Sequence, residues 1–390
     1  MTSNSGHISD TQGAAPADRQ GGRLVYLEAG RGIASVIVLL HHLILAFKPA
    51  FDAPYPIGLQ FTPVYCLING GAAVAFFFTL SGFVLSLSLI TRPSRGRLAT
   101  SLVKRLPRLA LPVVITLMAG CLVLMAGFNH YASTAYVTGS GWLATFGNAK
   151  FPDHFSPSLN DAARNSLLVF IQGQKFYYNS NLWTMRAEYL CSLAVLMIAY
   201  LVGRFHRRRR LGLALIAGGS AMLIIANTGL ALAEFGIGMT LAIIYTSWRI
   251  VLHRVLAVLA VAGVLFLVAA DDPRVEAIAA GLLLFVMTSS TDIEQVLSGR
   301  IGDWLGRASF PLYLVHTLVI LTIGSEVYGA VFALVHRYWV AMAVTSLVVV
   351  GVSVGVAMPL MWLDEWWVPT LNKGIGRLMG PMRRLVRGAA

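Results

Sequence analysis

Residues 24–47 read LVYLEAGRGIASVIVLLHHLILAF, and this stretch decides the fold class. It is long enough, at 1.5 Å per residue, to cross about 30 Å of hydrocarbon. Nine further apolar blocks of similar length follow, near 66–90, 109–128, 182–203, 211–228, 229–247, 255–270, 275–291, 305–323 and 338–363. The fifth and sixth abut, with only Asn227, Thr228 and Gly229 to mark a turn between them. Of the 390 residues, 57% are hydrophobic and 12% charged. A soluble domain carries about a quarter charged residues in shorter amphipathic runs. The expected fold is therefore all-α, a polytopic bundle of about ten transmembrane helices.

The net charge of +13 is sorted by position. Lys104, Arg105, Arg108, Arg207 to Arg210, Arg254, Lys373 and Arg377 fall in or beside alternate loops, as short cytoplasmic loops require. Both termini are expected to be cytoplasmic. These arginines are explained by topology and lipid headgroups, so the basic balance calls for no nucleic acid. Residues 1–23, polar and aperiodic, predict a disordered cytoplasmic tail. Residues 370–390 predict a basic cytoplasmic one. The one long non-membrane stretch, 129–181 on the outer face, holds Trp142, Phe151, Phe155, Tyr177 and Tyr178. Its aromatic and amide side chains suit either stacking on sugar rings or an interfacial belt, and 161–172 predicts an amphipathic helix. Cys66, Cys121 and Cys191 lie in or beside apolar spans and predict small core residues rather than a disulfide framework.

Ionisable groups inside a span are costly, so each is a candidate for function. The first span carries Glu28, Arg31, His41 and His42. Arg31 and His42, eleven residues apart, return to within about 20° of one azimuth and stand about 16 Å apart along the axis. Glu28 shares that face; His41 is turned about 80° away. Arg105 and Arg108 share a face if Pro107 falls in the first turn of the third span. Two guanidiniums beside free backbone N–H groups would then clamp a phosphate. Glu188 lies about a turn beneath Trp183 and is expected to reach the site from the outer side. Ser309, Tyr313 and His316 form a polar face on the ninth span.

Five segments in order carry a resemblance: 27–32 (LEAGRG) with the Arg31–His42 spacing, 76–83 (FFFTLSGF), 105–108 (RLPR), 182–188 (LWTMRAE) and 305–316 (LGRASFPLYLVH). Together they resemble the acyltransferase 3 family of integral membrane acyltransferases, which modify sugars and cell-envelope glycans. Glu28 stands where the family more commonly has Asp, and 364–369 (DEWWVP) fits its closing element only loosely, so no role is carried there. The resemblance implies a membrane acyltransferase domain over 24–369. It further implies a cytoplasmic acyl-CoA donor, acetyl-CoA foremost, and a carbohydrate or glycolipid hydroxyl as acceptor. The setting implied is the inner (plasma) membrane, and no metal is called for. His42 is then the expected base or transient acyl carrier. Arg31 is the donor anchor or oxyanion partner, oriented by Glu28. Arg105 and Arg108 are the expected phosphate holders, and Glu188 and His316 are further catalytic candidates. A secondary transporter using the same polar stripe is the alternative, though matching halves with broken helices are not evident.

Overall fold

The computed structural model describes residues 24–47, 62–173, 175–248 and 250–388, with backbone only at 63 and 379–388. The tail at 1–23 lies outside the described residues. Fifteen α-helices follow one another: α1 (Val25–Phe47), α2 (Gly70–Thr91), α3 (Arg95–Met125), α4 (His130–Thr138), α5 (Gly141–Ala144), α6 (Leu159–Leu168), α7 (Met185–Arg204), α8 (Arg209–Ile225), α9 (Leu230–Ser247), α10 (Arg254–Val268), α11 (Pro273–Ser289), α12 (Thr291–Leu297), α13 (Arg300–Val319), α14 (Ser325–Val335) and α15 (Tyr338–Gly388). No strand occurs among the described residues.

Every one of the ten expected segments coincides with a helix. By length and composition seven of the described helices can each cross a membrane, and the pair α11–α12, bent by 91° at its joint, brings the number to eight. The two remaining expected spans, α8 and α10, have 17 and 15 residues. The chain is thus a polytopic helical membrane protein. Below, "cytoplasmic" denotes the side that carries the arginine clusters.

Helix α1 lies at the centre, between α2 and α13, and α2 in turn packs on α7, α9 and α11. Close approach of α1 and α13 depends on the absence of side chains. A Cβ added at Gly32 would stand 2.5 Å from the Leu305 carbonyl oxygen, and one at Gly306 would stand 2.7 Å from the Glu28 Cβ. Gly302 and Gly306 are four residues apart, so they lie on one face and let the backbones touch. This contact sets how far apart the polar groups of α1 and α13 stand.

Three boundaries differ from expectation. Helix α3 begins at Arg95, where Ser94 accepts a hydrogen bond from the Arg97 N–H, rather than near Arg105. Pro107 is therefore interior, as is Pro112. Membrane helices tolerate interior proline, and α3 is tied to α15 at this level by the Trp367 Nε1–H, which donates to the Pro107 carbonyl at 2.9 Å. Helix α15 does not end near 363 but continues through the basic segment to Gly388. Between α13 and α14 a π turn, Ile320–Gly324, widens the helix without breaking it.

The outer stretch holds α4, α5 and α6, and the 161–172 segment is helical as far as Leu168 and packs on α3. Its aromatic rings pack on one another as the core of this layer. Phe151, Phe155, Tyr177 and Tyr178 lie 4.7–6.3 Å apart, centroid to centroid. The Asp161 carboxylate accepts hydrogen bonds from the hydroxyls of Tyr177 (2.6 Å) and Tyr178 (3.0 Å). Burial together with that carboxylate pushes the Tyr177 hydroxyl up to about 12, and burial moves Tyr178 in the same direction.

Candidate active site

A cavity of about 400 Å3 opens in the cytoplasmic half of the bundle. Glu28 and Arg31 from α1, Ser81 from α2, Arg105 and Arg108 from α3, Glu188 from α7 and Asp364 from α15 all line it. Its deeper wall is apolar, with Val74, Phe77, Met185 and Phe310, and ends at Thr184 and Tyr313. Six ionisable groups from four helices thus face one space inside a membrane, a cost that proteins accept for function.

The pairings inside this cavity revise several expectations. Arg31 Nε donates to Ser309 Oγ at 2.9 Å, and Nη2 lies 3.4 Å from the Gly306 carbonyl oxygen. Ser309 and the α13 backbone therefore aim the guanidinium, while Glu28 shares the wall one turn below. Arg105 is buried, forms an ion pair with Glu188, and donates through Nε to Ser192 Oγ at 2.7 Å. It is held by the protein itself. The expected clamp of two arginines at a helix start is corrected on both counts, since the helix begins three turns earlier and one arginine is already occupied. Arg108 is the one of the pair left exposed at the cavity. Glu188 does not come from the outer side. Ser81 Oγ donates to it at 3.1 Å, and Ser81 stands midway along α2.

Toward the outer side, a turn beyond Tyr313 on α13, His42 and His316 meet. Their rings lie 5.1 Å apart, with His42 Nδ1 at 2.9 Å from His316 Nε2. The two positions are 274 residues apart in sequence. Of the doublet, His42 faces the site as the helical register requires, and His41 turns away to the Ile68 carbonyl at 2.8 Å. His316 Nδ1 lies 2.9 Å from the Leu312 carbonyl oxygen. A carbonyl only accepts, so Nδ1 of a neutral His316 carries the proton and Nε2 offers its lone pair. His42 Nδ1–H then donates to that lone pair, which leaves His42 Nε2 as an unprotonated basic nitrogen. A backbone carbonyl thus fixes the tautomers of both rings, as a second partner does for a working imidazole.

Trp142 from α5 covers His42, with ring planes 17° apart and centroids 5.1 Å apart. Below, Tyr313 lines the cavity on one side and neighbours His316 at 6.1 Å on the other. Its hydroxyl lies 2.9 Å from Thr184 Oγ and donates to the Asn181 carbonyl at 2.9 Å. Asn181 and Asn179 donate in turn to the Tyr313 and Leu314 carbonyls, each at 2.8 Å. A short segment ahead of α7 is thereby hooked onto α13 at the level of the imidazoles.

The sequence places Trp142, Asn179 and Asn181 only in the outer stretch and gives Asp364 no role, and none of the four is expected beside α1 or α13. Trp142 sits in an outer turn remote from any span, and Asp364 interrupts an apolar run that otherwise reads as lipid-facing. The amides at 179 and 181 flank the LWTMRAE segment and were the one visible signal.

Comparison with known proteins bears on what this arrangement does. The family model described as an acyltransferase domain matches residues 24–362. The O-acetyltransferase PaAT-1 of Phomopsis amygdali is 25% identical over 218 residues, which cover 49% of this chain and 43% of that protein. No solved structure matches the chain.

Proposed function

Because the chain belongs to the acyltransferase domain family, we propose that it is a membrane O-acyltransferase. It moves an acyl group, acetyl by analogy with the similar O-acetyltransferase, from cytoplasmic acyl-CoA to a carbohydrate or glycolipid hydroxyl in the outer half of the membrane. The observation that carries this reading is the contact of His42 with His316 directly beyond a charged cavity that faces the cytoplasm.

Arg108 and Arg31 offer guanidiniums to the phosphates and polar arm of the donor. Glu188 holds Arg105 out of that task. Of the two roles open to Arg31, helix geometry supports that of anchor. Arg31 stands about 16 Å below His42 along α1, whereas an oxyanion donor must lie about 3 Å from the reacting oxygen. That separation supports Arg31 as the anchor in this reading. The donor's flexible arm then carries the thioester past Tyr313 toward His42. There His42 Nε2 takes the proton of the acceptor hydroxyl as its oxygen attacks the thioester carbonyl. The C–S bond breaks, an ester forms, and the coenzyme A thiolate leaves with the proton that His42 returns. His316 positions the base through Nε2, and the Leu312 carbonyl positions His316.

The test is transfer of label from acetyl-CoA to glycan or lipid extracts, by membranes containing equal amounts of wild-type and His42→Ala protein. Label that depends on His42 supports the assignment. Equal transfer by both removes His42 from the chemistry, and label from neither removes the acyl-CoA reading.

A further inference from the structure

On the other side of α1 from the charged cavity lies a larger one, about 630 Å3, between α1 and α2 on one wall and α10, α11 and α12 on the other. Small residues leave the space open, among them Gly30, Ala34, Ala72, Ala73, Ala257 and Ala280. Its lining follows α10 from Arg254 to Val268, fourteen residues or about 21 Å. That exceeds the roughly 15 Å of one leaflet's hydrocarbon. Helix α10 packs on α11 and the Pro63–Leu67 turn, so the gap separates it from α1 and α2. Protein interiors close gaps of this size. One that stays open, is apolar between its two ends and faces the bilayer is shaped for a lipid tail.

The two ends of the groove differ in charge. Outward it ends at Asn69 and Val268, where Asn69 donates to the Glu276 carboxylate at 2.8 Å. Asp271 and Asp272 stand in the adjoining loop. Arg274 is already taken by Asp272 at 2.7 Å, which leaves Asp271 and Glu276 as the excess charge at this end and makes it unfavourable for a phosphate. The cytoplasmic end holds Arg254 and Asp292, whose charged groups lie 3.7 Å apart and are largely exposed. Helix α12, turned 91° from α11, floors this end with Ile293 and Leu297.

We propose that the groove binds one cytoplasmic-leaflet glycerophospholipid with a primary-amine zwitterionic headgroup, of the phosphatidylethanolamine type. Its tail fills the groove, its phosphate meets Arg254 and its ammonium meets Asp292. An anionic headgroup meets Arg254 alone and is repelled by Asp292. A quaternary ammonium has no N–H to donate to the carboxylate.

The experiment uses the full chain reconstituted with equimolar phosphatidylethanolamine, phosphatidylcholine and phosphatidylglycerol, then extracted, with retained lipid identified by mass spectrometry. Wild type retains phosphatidylethanolamine about fivefold over each of the others, the ratio that one headgroup charge contact of about 1 kcal/mol provides. Asp292→Asn, at an exposed position, retains as much lipid but without that preference. Val261→Trp, which fills the groove from α10, loses the retained lipid while helical content is kept. Retention of all three lipids alike by wild type, retention of none, or undiminished lipid in Val261→Trp overturns the proposal.

Discussion

At the cytoplasmic end of the α1–α13 seam, Arg31 faces a space lined by four helices' worth of charge, and its partners are a hydroxyl and a backbone carbonyl. At the outer end of the same seam, His42 touches an imidazole and an indole, and the chain that orients it ends on a backbone carbonyl. One end is built to hold charge and the other to keep its rings neutral. A carboxylate in place of the Leu312 carbonyl would favour the imidazolium, which cannot act as a base. The seam thus separates grip from chemistry along a single rigid element.

The largest expected effect tests that separation directly. His42→Ala lowers the transfer rate by about 10²–10⁴-fold, the usual contribution of a positioned base, while acetyl-CoA binding measured by calorimetry is unchanged. A loss of binding would merge the two ends. Next is Arg105→Ala, which leaves the half-buried Glu188 carboxylate with Ser81 but without its cation and destabilises the protein by about 1–3 kcal/mol. Thermal unfolding in detergent reads this, and Arg105→Met with Glu188→Leu recovers most of it because both charges are then gone. Arg108→Ala raises KM for acetyl-CoA by about fivefold to tenfold at unchanged kcat, as loss of one exposed phosphate contact predicts. A fall in kcat instead would place Arg108 with the chemistry. The smallest effect concerns the layer that roofs His42. The raised Tyr177 pKa means the folded state keeps a proton that the unfolded chain releases. The stability this group contributes is present below pH 10 and is lost as pH rises from 10 toward 12. Tyr177→Phe flattens that part of the alkaline unfolding profile.

Ten helical segments were legible because hydrocarbon thickness forces apolar blocks of a set length. The facing of Arg31 and His42 was legible because helical azimuth is arithmetic. What lay beyond reach were partners supplied by distant segments. Nothing near Arg105 announces that Glu188, 83 residues on, occupies it, and nothing near His42 names His316. Proline misled in a definite way. Pro107 suggested a helix start, while Ser94, a better capping residue, marked the true one. In the outer layer the rings stack on one another, an arrangement made by packing that composition does not encode.

The π turn at Ile320–Gly324 amounts to one surplus residue in an otherwise regular 36-residue span. Everything after it is rotated by about 100° relative to an unbroken α-helix. That offset is what brings Tyr328 onto Phe47, with centroids 5.1 Å apart. Deleting a residue there should yield a straighter rod whose upper third faces the wrong neighbour, with His316 still in register. The outer third of the span is thereby aimed independently of the part that carries Ser309, Tyr313 and His316.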